Sequence, residues 1–322
     1  MGSHHARVYA ALTGACTLAG VFDPDADRAA TVAERWESQA YTSLESLLED
    51  VDVVSVASPS SLHFHHTALA LEHGLDVLVE KPLSLTVENA RMLERIASLR
   101  PDRPVVQVGH IEHFNPAIRE LRKLLGEYEP IAIDMQRLGP FDGRIADTDV
   151  VQDLMLHDIH VLMSVARSPL VRVQASGRRV RSEEHTDYAV ATFVFESGLI
   201  ATLSASRVTE EKIRRLTVTA DDAHITLDSM QRSLELSRWT SLRGAAGGSG
   251  GYRQESVLER VFVPIEEPLV AQIQSFLQCV RERSTPEVPL GMGTACLEVV
   301  DAVRDCISAQ AAATGAAGAL TL

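Results

Sequence analysis

Leu75-Asp76-Val77-Leu78-Val79 is a short apolar run that ends abruptly in Glu80-Lys81-Pro82. It reads as a buried strand, and Pro82 stops it, because proline has no N–H for a ladder and a fixed φ. Similar runs at Cys16–Phe22, Val51–Ala57 and Val105–Gly109 alternate with helical stretches at residues 3–13, 25–38, 61–73 and 86–99. Val87, Ala90, Leu93, Ile96 and Ala97 keep helical register in the last of these, and Gly74 stops the preceding helix as a C′ glycine. Thr42-Ser43-Leu44-Glu45 has the form of a capping box for a further short helix. Strand and helix alternating at this spacing predicts βαβ units and a parallel sheet with helices on both faces. Ligands of such sheets lie outside the carboxyl ends of the strands. Lys81 stands at such an end, and the chain's only other lysines are Lys123 and Lys212. It is expected either to face a ligand or to be a surface lysine that follows a strand.

After about residue 116 the pattern changes. A helix at Pro116–Leu125 leads into a strand at Ile131–Arg137, an irregular stretch at Gly139–Asp149 and a long helix at Val150–Ala166. Strands are predicted at Val171–Arg178, Asp187–Glu196, Leu199–Arg207 and Ile213–Ala220. The tight turns Glu196-Ser197-Gly198 and Thr219–Asp222 imply antiparallel pairing. Pro268–Arg283 and Gly291–Ala309 read as helices, Ser241–Gly251 as a flexible loop, and the Ala/Gly-rich 310–322 as a loosely ordered tail. The expected division is 1–116, then 117–309, then the tail; a length of 322 residues exceeds one ordinary core.

Composition excludes some functions. A net charge of −14 argues against a nucleic-acid or polyanionic membrane partner. Cys16, Cys279, Cys296 and Cys306 show no C-x-x-C pair and read as reduced thiols of a cytoplasmic protein. No apolar run has the length of a membrane span, and no signal peptide opens the chain.

Asp153 and His157 lie four apart on a predicted helix and share a face, which continues to His160 and Ser164. Gln152 and Asp158 are expected to form the exposed edge of that helix. A histidine with a carboxylate one turn away is oriented as a general base near neutral pH requires. The same residues could line solvent or hold a metal, but no further ligand cluster supports a metal, and none is expected. Asp23 closes the first apolar run; in a dinucleotide fold an acid there accepts from a ribose 2′-hydroxyl and repels a 2′-phosphate, favouring NAD over NADP. His63, His65, His66 and His73 crowd one helix, and only His63, in the first turn after Ser58-Pro59, could reach the crevice.

Ser58-Pro59-Ser60-Ser61-Leu62-His63, Glu80-Lys81-Pro82 and Asp153-Leu154-Met155-Leu156-His157-Asp158 stand in an order and spacing that resembles the glucose–fructose oxidoreductase/inositol dehydrogenase/MocA family of NAD(P)-dependent sugar and cyclitol dehydrogenases. Val108–Ala117, Arg137–Ile145 and Ala205–Arg214 look most like its UDP-N-acetylglucosamine 3-dehydrogenase branch. The resemblance implies an α/β fold: an N-terminal Rossmann-type doubly wound parallel sheet, lacking its first strand, and a C-terminal α+β domain with a large open, mainly antiparallel sheet. It implies that Lys81 holds a substrate hydroxyl beside the nicotinamide, His157 takes the proton and Asp153 orients the site, at the seam between the domains. Gly2, His4, Asp23, Ser58, Pro59, His63, Glu80 and Lys81 would contact NAD. His110, Asn115, Arg137, Arg144, His160 and Arg207 would contact the sugar substrate, the arginines through a diphosphate. It also implies a homodimer or homotetramer formed through the open sheet.

The chain departs from the family at His113, where Arg is usual, and at His160, where Asp is usual. Met1–Tyr9 matches only the end of the G-x-G-x-x-G phosphate fingerprint and the helix after it. Roughly ten to twelve residues carrying the first strand and the glycine loop are therefore expected ahead of Met1. NAD binding by the chain as it stands is expected to be weak. A free sugar or inositol as substrate, and a non-catalytic sugar- or nucleotide-sensing role, remain the alternatives at this point.

Overall fold

The computed structural model describes residues 1–101, 103–141, 148–241 and 254–316, divided into two compact units. The first comprises Met1–Phe114 and Glu266–Glu298; the second comprises Asn115–Ile265 and the chain from Val299 onward. The sequence-based division assigns 266–298 to the second domain. Their packing assigns them to the first, for the reason given below.

The first unit opens with α1 (Gly2–Ala11), β1 (Gly20–Val21), α2 (Ala26–Arg35), β2 (Gln39–Ala40) and α3 (Leu44–Glu49). Only Gly20 and Val21 of the predicted Cys16–Phe22 strand are in a sheet, because the Cys16 amide is still bonded to Leu12 O at the end of α1. The N-cap of α3 is Ser43, whose Oγ accepts from Ser46 N at 3.1 Å, so the box predicted from Thr42 starts one residue late. Next come β3 (Val53–Val56), α4 (His63–Glu72), β4 (Asp76–Glu80), α5 (Val87–Leu99) and β5 (Val106–Gly109). Gly74 at φ +81 terminates α4 as predicted, and Thr86 caps α5. These strands pair in parallel, β1 with β2 and β3–β4–β5 in order. Every residue of β4 is buried, which explains why its sequence is a continuous apolar run rather than an alternating one.

The second unit begins with α6 (Pro116–Leu124), capped by Asn115, and β6 (Pro130–Leu138). A π turn at Val151–Met155 then runs into α7 (Leu156–Ala166), where the sequence predicts a single α-helix. Strands β7 (Leu170–Arg178), β8 (Tyr188–Phe195), β9 (Ile200–Ser206), β10 (Ile213–Ala220), β11 (Ala223–Asp228), β12 (Ser233–Ser241) and β13 (Gln254–Val261) follow. They form one eight-stranded sheet in the order β13-β12-β11-β10-β6-β9-β8-β7, antiparallel except for β6 with β9. The last three strands exceed the sequence reading, which stops at Ala220. The loop predicted at Ser241–Gly251 lies outside the described residues from 242 on. Alternation sets the faces of the sheet: Ala189, Ala191, Phe193 and Phe195 are buried in β8, and Ala201, Leu203 and Ala205 in β9. Helix α7 packs on β6 and β9.

Two helices close the chain, α8 (Pro268–Glu282) and α9 (Leu290–Ala316). Helix α9 runs past Ala309 into the stretch predicted as a loose tail. Leu269, Ile273, Phe276 and Leu277 of α8 share one core cluster with Val8, Tyr9, Leu78 and Val105, which is why this segment belongs with the first unit. Arg283, just beyond α8, donates to Asp76 Oδ2 at 2.6 Å. The latter half of α9 packs over β7, with Cys306 Sγ 3.6 Å from Val173 O.

One buried acid anchors the second unit. Asp187 Oδ2 accepts from the amides of Val180, Arg181 and Ser182 at 2.7, 2.6 and 2.9 Å, and Oδ1 accepts from Arg207 Nε at 2.6 Å. Burial alone would raise this carboxyl, but the three amides and the guanidinium hold it down at about 2. A depressed folded pKa stabilises the native state above an unfolded aspartate's pKa of about 3.9, and the benefit disappears as pH falls through the folded value. Asp187→Asn is therefore expected to cost about 2 kcal/mol or more at pH 7. The gap to the parent protein should close between pH 4 and pH 2, as read by urea denaturation at each pH.

Candidate active site

In the first unit, three parallel strands deliver the predicted residues to one edge. Ala57-Ser58-Pro59 follows β3, Glu80-Lys81-Pro82 ends β4, and Gly109-His110 ends β5. A Cβ on Gly2 would lie 3.9 Å from Ala57 Cβ, so the amino end of α1 reaches the same edge. Lys81 is half-buried, and its peptide bond to Pro82 is cis.

His63 is turned into the fold. It is 1% exposed, with Nδ1 2.6 Å from the Pro82 carbonyl and Nε2 2.9 Å from the Ser58 carbonyl. It thus ties the loop after β3 to the loop after β4. Both acceptors are carbonyls, so both contacts are hydrogen bonds only when the ring carries two protons. Ser58 Oγ in turn meets His66 Nδ1 at 3.1 Å. Burial, and then the charges of His65 and His63, lower the pKa of His66.

Glu80 is buried and bonded to His5 Nε2 at 2.8 Å. The sequence reading singles out His4, which is exposed, and passes over His5, which is 2% exposed. The missed signal was helical register: His5 lies four residues before Tyr9 on the buried face of α1. Gly109 makes room for this pair, since a Cβ there would stand 2.9 Å from Glu80 Cα. His110 is buried beside Lys81. Burial first, then the Lys81 and His113 charges, push its pKa down to about 3, so it is neutral at working pH. His113, one of the departures from the family pattern, contacts Glu287 Oε2 at 3.2 Å.

In the second unit, Asp153 lies in the π turn and His157 in the first turn of α7, both half-buried, with His160 fully buried one turn on. Gln152 and Asp158, expected on an exposed edge, are buried at 6% and 4% exposure. The reason is charge pairing: Asp158 Oδ1 accepts from Arg137 Nε and Nη2 at 2.9 and 2.7 Å. The guanidinium of Arg137, expected to serve a diphosphate, thus meets an internal carboxylate through Nε and Nη2. Arg207 is likewise built in, donating to Asp187 and, through Nη1, to Thr148 O at 2.8 Å. Asn115 Oδ1 accepts from Ala117 N at 3.0 Å as the cap of α6. Arg144 lies outside the described residues. Asp23, two residues beyond β1, is half-buried, and its Oδ1 accepts from Asp25 N at 2.9 Å.

Comparison with known proteins gives a consistent result. Residues 1–110 match the GFO/IDH/MocA oxidoreductase family's NAD-binding Rossmann fold, and residues 129–226 match the GFO/IDH/MocA C-terminal domain. UDP-N-acetylglucosamine 3-dehydrogenase of Acidithiobacillus ferrooxidans is 35% identical over 280 residues, covering 87% of this chain and 85% of the relative. A solved structure of that dehydrogenase superposes with a TM-score of 0.85 at 32% identity, covering 96% of this chain and 94% of the other. The scyllo-inositol 2-dehydrogenase (NAD(+)) of Bacillus subtilis is 24% identical over 89% of this chain and 85% of its own.

The two readings of Arg137 separate experimentally. Arg137→Met strands the buried Asp158 and is expected to cost about 3–5 kcal/mol of stability. Adding Asp158→Leu should recover most of that loss. Chemical denaturation of the single and double variants checks this; an Arg137→Met protein of parental stability would return Arg137 to the surface.

Proposed function

The chain belongs to the GFO/IDH/MocA family of NAD-binding oxidoreductases, and we propose that it oxidises a secondary hydroxyl of a sugar, at C3 of a UDP-linked N-acetylamino sugar. Its relative of that activity, similar along most of both chains, supports the substrate. The observation that carries the chemistry is the placement of Asp153 and His157, half-exposed at the start of a largely buried helix. Lys81 supplies the cation, at the end of a strand whose every residue is buried.

The residues of the first unit fit a dinucleotide. The amino end of α1 carries no acid in its first turn and no side-chain cap, which suits a pyrophosphate. The Asp23 carboxylate suits a ribose diol and disfavours a 2′-phosphate, so NAD is preferred over NADP. NAD, when bound, supplies the acceptor for the hydride that leaves the sugar carbon. The protein's own task is the proton. Oxidation without a base would leave a protonated carbonyl, so His157 takes the hydroxyl proton as charge develops on oxygen. Lys81 holds that oxygen and stabilises it as an alkoxide. Asp153 binds a neighbouring hydroxyl and keeps the His157 ring in register. Neutral His110 sits beside Lys81 without adding a second positive charge to the site. His63 positions the Ser58 and Pro82 loops.

Exposed apolar residues on the large sheet, among them Ile131, Ile200 and Val257, support self-association through it as a homodimer or homotetramer. Four free cysteines fit a reducing cytoplasm.

NADH formation should be seen with UDP-N-acetylglucosamine in preference to UDP-glucose or free inositols. Lys81→Ala and His157→Ala are expected to lower kcat by roughly 10²–10⁴ while the protein stays folded. Turnover of an inositol in place of the nucleotide sugar would overturn the substrate assignment. Sugar binding without turnover would make the chain a sensor.

A further inference from the structure

We infer that Arg304 and Asp149 form a positioning pair that sets the π turn carrying Asp153. This inference rests on the dehydrogenase reading above. Asp149 organises the start of the helix with every acceptor it has. Its Oδ1 accepts from Val151 N and Gln152 N, both at 2.9 Å, and its main-chain oxygen accepts from Asp153 N at 3.0 Å. Its Oδ2 is taken by Arg304, from Nε at 2.7 Å and Nη2 at 2.6 Å. The same guanidinium reaches past Asp149, with Nη2 donating to Gln152 Oε1 at 2.7 Å. One planar fork thus holds both the capping carboxylate and a side chain inside the π turn, a geometry that suits arginine and not lysine.

The need for such a brace follows from the turn itself. A π turn contains one residue more than an α turn would, and its hydrogen bonding is less favourable, so it persists where surrounding structure enforces it. Relaxing it to α would rotate Asp153 by about 100° around the helix axis relative to His157. The residues just before the turn are also held: Thr148 O accepts from Arg207 Nη1 at 2.8 Å, and Val150 N donates to Thr186 O at 3.0 Å. Arg304 is the member of this set that comes from α9, so α9 fixes the first turn of the proposed proton-handling helix. The pair is partly withdrawn from water, the Arg304 and Asp149 side chains being 30% and 15% exposed.

A positioning role and a general structural role give different results. In Arg304→Ala, amide hydrogen exchange at residues 151–157 is expected to rise roughly tenfold or more, while β8 and β9 keep their protection. The KM for the sugar should rise or kcat fall by a similar factor, with the KM for NAD unchanged and millimolar guanidinium restoring part of the activity. Arg304→Lys should fall between, and Asp149→Asn, which keeps the cap but loses the charge, serves if Arg304→Ala does not fold. Unchanged exchange at 151–157, or protection lost across the whole unit, would overturn the inference. A parent protein that turns over no sugar would refute the dehydrogenase reading instead, and the exchange experiment would still decide the brace.

Discussion

A carboxylate cannot be taken out of water without a partner, and the structure is arranged around that constraint. Among the described residues four acids are buried: Asp76, Glu80, Asp158 and Asp187. Each meets a cation or a histidine: Arg283, His5, Arg137 and Arg207. Each also fixes an element that matters. Asp76 accepts from Val105 N at the start of β4, Glu80 locks the end of β4 just before Lys81, Asp158 seats α7 against β6, and Asp187 gathers the turn before β8. The chemical groups proposed to act on substrate are half-exposed, whereas these four carboxylates are inside.

This explains both what could be read from the chain and what could not. The parallel sheet was legible because burial on both faces writes itself as an uninterrupted apolar run, and Gly74, Thr86 and Pro82 punctuate it locally. Asp153 and His157 were legible because helical spacing is local. The arginines were not: a guanidinium suits a phosphate and an aspartate equally well, and nothing local says that Arg137 will meet Asp158 on another element. The same applies to Asp158 itself, which looks like an exposed helix acid until its partner is placed. His5 was readable in principle from its register with Tyr9. The π turn was not, since its sequence carries ordinary helix formers and its cause lies on α9.

Family membership and geometry inform different parts of the proposal. Similarity along nearly the whole chain bears on which reaction and which substrate. The structure bears on how the groups are held: Lys81 by the two loops that His63 ties together, and Asp153 by the Asp149–Arg304 pair. In both units, the residue proposed to touch substrate is carried by a loop or turn fixed from behind by a histidine or arginine that does not touch it.

The contribution of α8 to the first unit has a consequence for biosynthesis. Val8, Tyr9 and Leu78 share their core with Leu269, Ile273 and Phe276, and the whole of Asn115–Ile265 must be translated between the two halves. At about 5–20 residues per second the ribosome spends on the order of 10–30 s on that interval. During it, one side of Leu78's strand and the inner face of α1 have no partner to cover them. The nucleotide-binding unit therefore cannot mature as it emerges. Its core becomes whole only once α8 has been made.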